Sequence, residues 1–195
     1  MTNDLLSVFR LPPSVSLVHL FLVVLAAERG IELVVSRRNE IHIKRLGGEE
    51  YGAAFTRLLT GFHVCWFLSF GIEAAARGAK LLISPASLIM AFLLFQALRY
   101  WCIFSLGRSW NIKIITLPGA EPVRTGPYRF MKHPNYAVVL LEIFFYPSFF
   151  GCWATALIFG FLNILVLRKR IRQEEAALFI SSATGPGTIP SGRSA

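Results

Sequence analysis

Apolar residues fall in five long runs, at about 14–35, 58–76, 81–104, 134–149 and 152–168, separated by polar, turn-rich stretches. A helix that crosses a bilayer needs roughly 20 apolar residues. The first three runs reach that length and the last two fall short of it. The pattern predicts an all-α integral membrane protein with five transmembrane helices, the last two forming a short hairpin. Turn formers agree with these boundaries. Ser84-Pro85 lies near the start of the third run, Pro118-Gly119 breaks the polar stretch after it, and Pro147 and Gly151 flank the hairpin turn. Pro134 suits the first turn of a helix, where its missing N–H costs nothing. After Ile180 the chain turns to Ser, Gly and Pro, which predicts a disordered tail over 181–195.

Charge sets the expected orientation. Arg37, Arg38, Lys44, Arg45 and Arg57 surround the first loop, and Arg108, Lys113, Arg124, Arg129 and Lys132 occupy the third. Arg168, Lys169, Arg170, Arg172 and Arg193 follow the hairpin, whereas the other side holds only Arg10, Arg77 and Lys80. Basic loops stay in the cytoplasm, so five spans predict cytoplasmic first and third loops and an outside amino terminus. The net charge of +9 is accounted for by this topology, and no nucleic-acid partner is expected. Charged residues are 16% of the chain, against about 25% in soluble domains. No cleavable signal peptide is apparent. Cys65, Cys102 and Cys152 form no CxxC pair, and the four histidines show no metal-ligand spacing, so neither a disulfide framework nor a metal is expected.

Ionisable residues inside an apolar run are costly and mark candidate sites. Glu142 is the clearest. It lies two helical turns after Asn135, so the two share a helix face, either lining a polar cavity or locking the hairpin by an internal hydrogen bond. Arg99 is placed to pair with Glu142 or to snorkel to the cytoplasmic edge. Glu28, Arg29 and Glu32 read as an interfacial charge network. Before the hairpin comes Gly126-Pro127-Tyr128-Arg129, then His133-Pro134-Asn135-Tyr136. His133 and Tyr136 are three apart, on one helix face. Beyond the hairpin, Arg170 and Glu174 have the spacing of an ordinary surface ion pair. Glu174 and Glu175 repel one another unless a cation or a hydroxyl engages one of them.

Four pieces together carry a resemblance: Ser105-Leu106-Gly107-Arg108-Ser109-Trp110; Pro122-Val123 with Gly126-Pro127-Tyr128-Arg129; His133-Pro134-Asn135-Tyr136; and Arg170-Ile171-Arg172 with Glu174-Glu175 and Leu178. In this order and spacing the stretch from about 99 to 180 resembles the isoprenylcysteine carboxyl methyltransferase family. The resemblance implies N-terminal transmembrane helices over 1–98 and a methyltransferase core over 99–180. It implies an S-adenosylmethionine-dependent O-methyltransferase, without a soluble Rossmann-type fold, in a membrane that a bacterial branch of the family suggests is the inner one. Carried over residue by residue, His133, Tyr136 and Glu174 contact the cofactor, with Tyr128, Asn135 and Glu175 close by. Glu174 suits the ribose hydroxyls, and Arg170 or Arg172 a carboxylate of the cofactor or the acceptor. Arg172 is counted with the cofactor-binding residues, and Arg170 and Glu142 are the candidate catalytic pair. The partner is a lipophilic or lipidated acceptor: an isoprenylcysteine-type carboxyl, or the hydroxyl of an alkylpyrone-like polyketide. Family members usually continue past the Glu-Glu pair with an aromatic-rich segment, which the Ser, Gly and Pro of this chain replace. Two other readings stay open. Membrane sterol and steroid reductases have a similar C-terminal core and bind NADPH, but tend to place Gly-Glu soon after the Tyr, where this chain has Ala137-Val138-Val139. A non-enzymatic membrane scaffold would use the hairpin charges for packing alone.

Overall fold

The computed structural model describes residues 13–119 and 121–183. It contains five α-helices, α1 (Pro13–Arg45), α2 (Ala53–Arg77), α3 (Pro85–Leu106), α4 (Pro134–Phe149) and α5 (Trp153–Ala183), and two short strands, β1 (Glu49–Tyr51) and β2 (Ile114–Thr116). Their starts and stops follow local chemistry. The Ser84 hydroxyl accepts from the Ser87 amide (3.0 Å) and Pro85 opens α3, a cap that satisfies an otherwise orphaned N–H. Pro134 opens α4 as its sequence position predicts. The first amides of α5, at Ala154 and Thr155, donate to the Glu73 carboxylate on α2 at 3.1 and 2.7 Å, where an acidic group also meets the positive end of the helix.

Two helices run ten residues or more past the ends of their apolar runs. α1 continues ten residues past 35, through Arg37, Arg38, Lys44 and Arg45. α5 passes straight through Arg170–Glu175 and ends at Ala183. Residues 181–183, expected in a disordered tail, are thus the last turn of α5, and the rest of that expected tail, 184–195, lies outside the described residues. Hydrophobic periodicity fades where a helix leaves an apolar environment, so the sequence marks the span and not the helix end.

α2 and α3 are each long and apolar enough to cross a membrane. α4 has only 16 residues, about 24 Å at 1.5 Å per residue, which is shorter than a hydrocarbon core of about 30 Å. The outer faces of the bundle carry exposed Val23, Leu68, Ile72, Met90, Leu93, Leu157, Ile158 and Phe161. Soluble monomers rarely expose so much contiguous apolar surface. Inside, Phe21, Phe70, Phe95, Tyr146 and Phe150 form an aromatic core. Phe21 and Tyr146 meet edge to face at 5.0 Å, a favoured ring geometry. The Trp66 indole N–H donates to the Ile143 carbonyl (3.1 Å), joining α2 to α4.

One end of the bundle gathers the loops between α1 and α2 and between α3 and α4 with the end of α5. β1 pairs antiparallel with β2, Glu50 opposite Ile115. Ser36 and Asn111 exchange hydrogen bonds (Asn111 Nδ2 to Ser36 O, 2.9 Å), and Asn39 donates to the Gly107 and Trp110 carbonyls. At the other side of α5, Ser181 donates to the Leu117 carbonyl (2.7 Å). Beside the sheet, Lys44 and Lys113 both reach Glu40 (2.6 and 2.7 Å) and Glu50 (2.8 and 3.2 Å). Hydrogen bonds from Lys113 and then Lys44 hold the Glu40 carboxyl below its ordinary 4.5, and Lys44 leads the same effect on Glu50. A carboxyl depressed on folding stabilises the fold above its unfolded value and ceases to do so as pH falls through its folded value. The β1–β2 link is therefore expected to loosen only below about pH 4.5. Amide exchange in 49–51 and 114–116 would read this out, and protection unchanged down to pH 2.5 would contradict it.

Candidate functional site

The site is built where α4 begins. Pro134 fixes the helix start, and His133 and Tyr136 flank it with rings stacked at 5.5 Å and 18°. The Tyr136 hydroxyl donates to Glu174 on α5. His133 lies 3.9 Å from Glu174 through Nδ1 and 3.5 Å from Glu175 through Nε2. Lys132 stands 4.0 Å from Glu175. The structure thus brings together His133, Tyr136, Glu174 and Glu175 from the two ends of the hairpin.

Arg170 departs from its expected surroundings. It does not pair with Glu174 as the spacing suggested. It is 3% exposed, and its guanidinium donates to the Tyr136 hydroxyl (3.2 Å), to Thr56 Oγ1 (3.4 Å) and to the Ile112 carbonyl. These bonds tie α5 to α2, to the α3–α4 loop and to the site tyrosine, and leave Glu174 to Tyr136 and His133. Arg172 is exposed and enters none of these contacts. Two buried oxygens on residues next in sequence to the cluster have no partner among the described residues: Asn135 Oδ1, and Gln173 Oε1, which lies against Gly52 before α2. Buried polar atoms are nearly always paired, so such orphans call for an explanation.

Tyr128 enters from a 3-10 turn, Gly126–Arg129, that packs on α3. Burial, with the neighbouring Cys102, Glu174 and Tyr136, pushes its hydroxyl well above the ordinary value, so it stays protonated. Gly126 makes this approach possible. Its φ is +56°, and a Cβ there would lie 2.0 Å from Ser105 Oγ and 3.0 Å from the Trp101 indole nitrogen. A left-handed conformation costs a non-glycine residue about 1–2 kcal/mol before any clash. Gly126→Ala is expected to lift the turn off α3, seen as faster protease cleavage between 117 and 133. Unchanged cleavage would mean that Ser105 and Trp101 simply move aside.

Deeper in the bundle lies the charge network that Glu142 anticipates. Glu142 is 3% exposed. One oxygen accepts from Arg29 (2.9 Å) and from Arg99 Nη2; the other accepts from Arg99 Nε (3.2 Å) and Gln96 (3.4 Å). Arg29 also pairs with Glu32 (2.6 Å), which sits 3.4 Å from Arg99 Nε. Of the two positions open to Arg99, the structure takes the pair with Glu142. Arg29 and Glu32 belong to this network and not to a separate interfacial one. A cavity of about 20 Å³ lies between Arg29, His63, Arg99, Glu142 and Tyr146, space for about one water. Sequence reasoning missed Thr56, Gln96, Ile112, Gln173 and His63. Gln96 and His63 carried a signal, each being a polar residue inside an apolar run, and Gln96 also lying one turn before Arg99. Among the described residues no group of three His, Cys, Asp or Glu could hold a metal.

An apolar bundle with one polar end, where a helix start meets a dicarboxylate pair, has the form of a helical membrane protein. The sequence model of the isoprenylcysteine carboxyl methyltransferase (ICMT) family matches residues 87–180. Uncharacterized protein YpbQ of Bacillus subtilis (strain 168) is 37% identical over 82% of this chain and 95% of its own length. An uncharacterized protein of Haemophilus influenzae is 30% identical over 78% of this chain and 89% of its own. No solved structure matches the chain significantly. The chain belongs to the ICMT family, a family of membrane methyltransferases that use S-adenosylmethionine.

Proposed function

We propose that this protein is an integral membrane, S-adenosylmethionine-dependent O-methyltransferase acting on a lipophilic acceptor. The observation that carries this reading is the cluster at the start of α4. Tyr136, His133 and Glu174 are mutually engaged there, and Asn135, between His133 and Tyr136 in the chain, carries a buried oxygen with no partner among the described residues. The residues present suit that cofactor. Glu174 and Glu175 offer carboxylates to ribose hydroxyls, the His133–Tyr136 stack offers an aromatic face, and the Asn135 oxygen offers an acceptor to an ammonium group. Tyr128 closes the site from the α3 side. The exposed Lys132 and Arg129 suit a carboxylate better than Arg170, whose donors are engaged by the protein. We assign Arg170 a positioning role, orienting Tyr136, and we place Arg172 at the outer rim.

When bound, S-adenosylmethionine would supply an electrophilic methyl group for transfer to an acceptor oxygen, with the neutral thioether S-adenosylhomocysteine as the leaving group. The protein's part is alignment and exclusion of water. A carboxylate acceptor, with a pKa near 4, is ionised at neutral pH and needs no general base. Glu142 and its arginines form the polar floor one to two helical turns below. We further infer five spans with the site facing the cytoplasm and the amino terminus outside, in keeping with the basic loops gathered at that end and the inner membrane of a bacterium. The methyltransferase core is residues 99–180, with the preceding helices as its membrane scaffold. The acceptor is an isoprenylcysteine-type carboxyl or an alkylpyrone-like hydroxyl.

The test is calorimetry on detergent-purified protein with S-adenosylmethionine, and with NADPH as the contrasting ligand. Binding of S-adenosylmethionine alone is the expected result. Binding of NADPH alone would convert the reading to a membrane reductase, and binding of neither would favour a scaffold.

A further inference from the structure

At the bundle end opposite the polar site, α2 and the start of α5 enclose an open groove of about 470 Å³. The groove is open along its length, so a ligand held there also borders the surrounding lipid. Its walls are Cys65, Leu68 and Ile72 on α2 and Ala154 on α5, and its end is Glu73 and Arg77. Leu68 and Ile72 are 59% and 66% exposed, so the groove opens sideways onto the zone where the apolar belt lies.

The charges at its end are unequal in what they have left to offer. Glu73 accepts from the Ala154 amide, the Thr155 amide and the Thr155 hydroxyl (2.7 Å). Its carboxylate is thus engaged by the positive end of α5. Arg77 touches it only through Nε, at 3.5 Å, with a side chain 64% exposed. The two terminal nitrogens of Arg77 have no partner among the described residues. Lys80, three residues on, is exposed as well. The groove therefore runs from an apolar channel to an outward-facing guanidinium that can hold a phosphate by two parallel hydrogen bonds.

We propose that this groove binds one anionic phospholipid of the leaflet opposite the methyl-transfer site, with an acyl chain along Leu68 and Ile72 and the phosphate on Arg77. Which leaflet this is rests on the five-span reading; the lipid site itself does not depend on the methyltransferase reading. Lys80, exposed in the loop that follows α2 and outside the groove lining, adds a second cation on the same membrane face, which favours net anionic over zwitterionic headgroups. Each basic residue near a membrane surface contributes about 1 kcal/mol towards anionic lipid, roughly five-fold in affinity.

The experiment is native mass spectrometry of the delipidated full chain, titrated with dioleoylphosphatidylglycerol or dioleoylphosphatidylcholine. One phosphatidylglycerol is expected to be retained in preference to phosphatidylcholine, and Arg77→Gln is expected to weaken its retention roughly five-fold. Ala154→Trp, which fills the groove, is expected to remove the bound lipid of either kind. Equal retention of the two lipids, indifference to Arg77→Gln, or full retention by Ala154→Trp would each overturn the proposal. S-adenosylmethionine binding measured on the same samples separates the two readings. If it persists while lipid preference is absent, only the groove assignment falls; if it is absent while lipid is retained, only the cofactor assignment falls.

Discussion

Glu174→Ala is expected to lower S-adenosylmethionine affinity by ten- to a hundred-fold while leaving the thermal midpoint nearly unchanged. The magnitude follows from losing charge-assisted hydrogen bonds to ribose hydroxyls, about 1.5–3 kcal/mol for bonds to a charged group. The small effect on stability follows from exposure: the Glu174 side chain is 32% accessible, and water replaces the Tyr136 contact. Tyr136→Phe provides the contrast. It removes a hydroxyl that sits between Arg170 and Glu174 and leaves a buried guanidinium short of an acceptor, so it should cost stability as well as affinity. Glu175→Ala, at a more exposed position, should weaken binding less than Glu174→Ala. Titration calorimetry alongside thermal unfolding distinguishes these patterns. Equal affinity in Glu174→Ala and the parent protein would remove Glu174 from the cofactor site and, with it, the main support for the proposed arrangement.

The sequence reveals the parts of this architecture that depend on short-range pattern. The five helices and their hairpin follow from apolar runs, and Pro134 gives the start of α4, whereas the third run, read from about 81, becomes helical only at Pro85. The Arg99–Glu142 pair was legible because two opposite charges in apolar runs have few ways to avoid a large desolvation cost other than meeting. Arg170 was misplaced for the opposite reason. Its i,i+4 spacing to Glu174 is a local pattern, and the partners that win are distant in sequence: Thr56, Ile112 and Tyr136. Nothing near Thr56 or Ile112 marks them as partners, since one gives a hydroxyl at the start of α2 and the other a backbone carbonyl. The two-stranded sheet was likewise hidden. Three residues, Glu49–Tyr51, are too few to show a period of two, and their pairing is set by the closure of the helices above them.

Glu142→Leu decides whether the deep charge network serves packing or chemistry. Glu142 gives acceptors to Arg29, Arg99 and Gln96 at once. Without it, Glu32 is the carboxylate still within ion-pair distance of both arginines among the described residues, with Glu28 farther off. Removing one partner of a buried ion pair costs about 3–5 kcal/mol, because the remaining charge stays buried and unmatched. For a chain of this size that corresponds to a fall of about 10 °C in thermal midpoint. The double variant Arg99→Met/Glu142→Leu should recover much of the loss, since an apolar replacement of the whole pair is often close to neutral. If both variants bind S-adenosylmethionine normally, and the stabilised double variant turns over a lipophilic acceptor at the parental rate, the network is a lock between α1, α3 and α4 and nothing more. If the double variant is stable and binds cofactor but does not transfer methyl groups, the network contacts the acceptor and Glu142 is catalytic. A single variant whose midpoint stays within about 1 °C of the parent would rule out the lock, because a buried pair of arginines cannot lose its principal counter-charge without a change of at least about 0.5 kcal/mol.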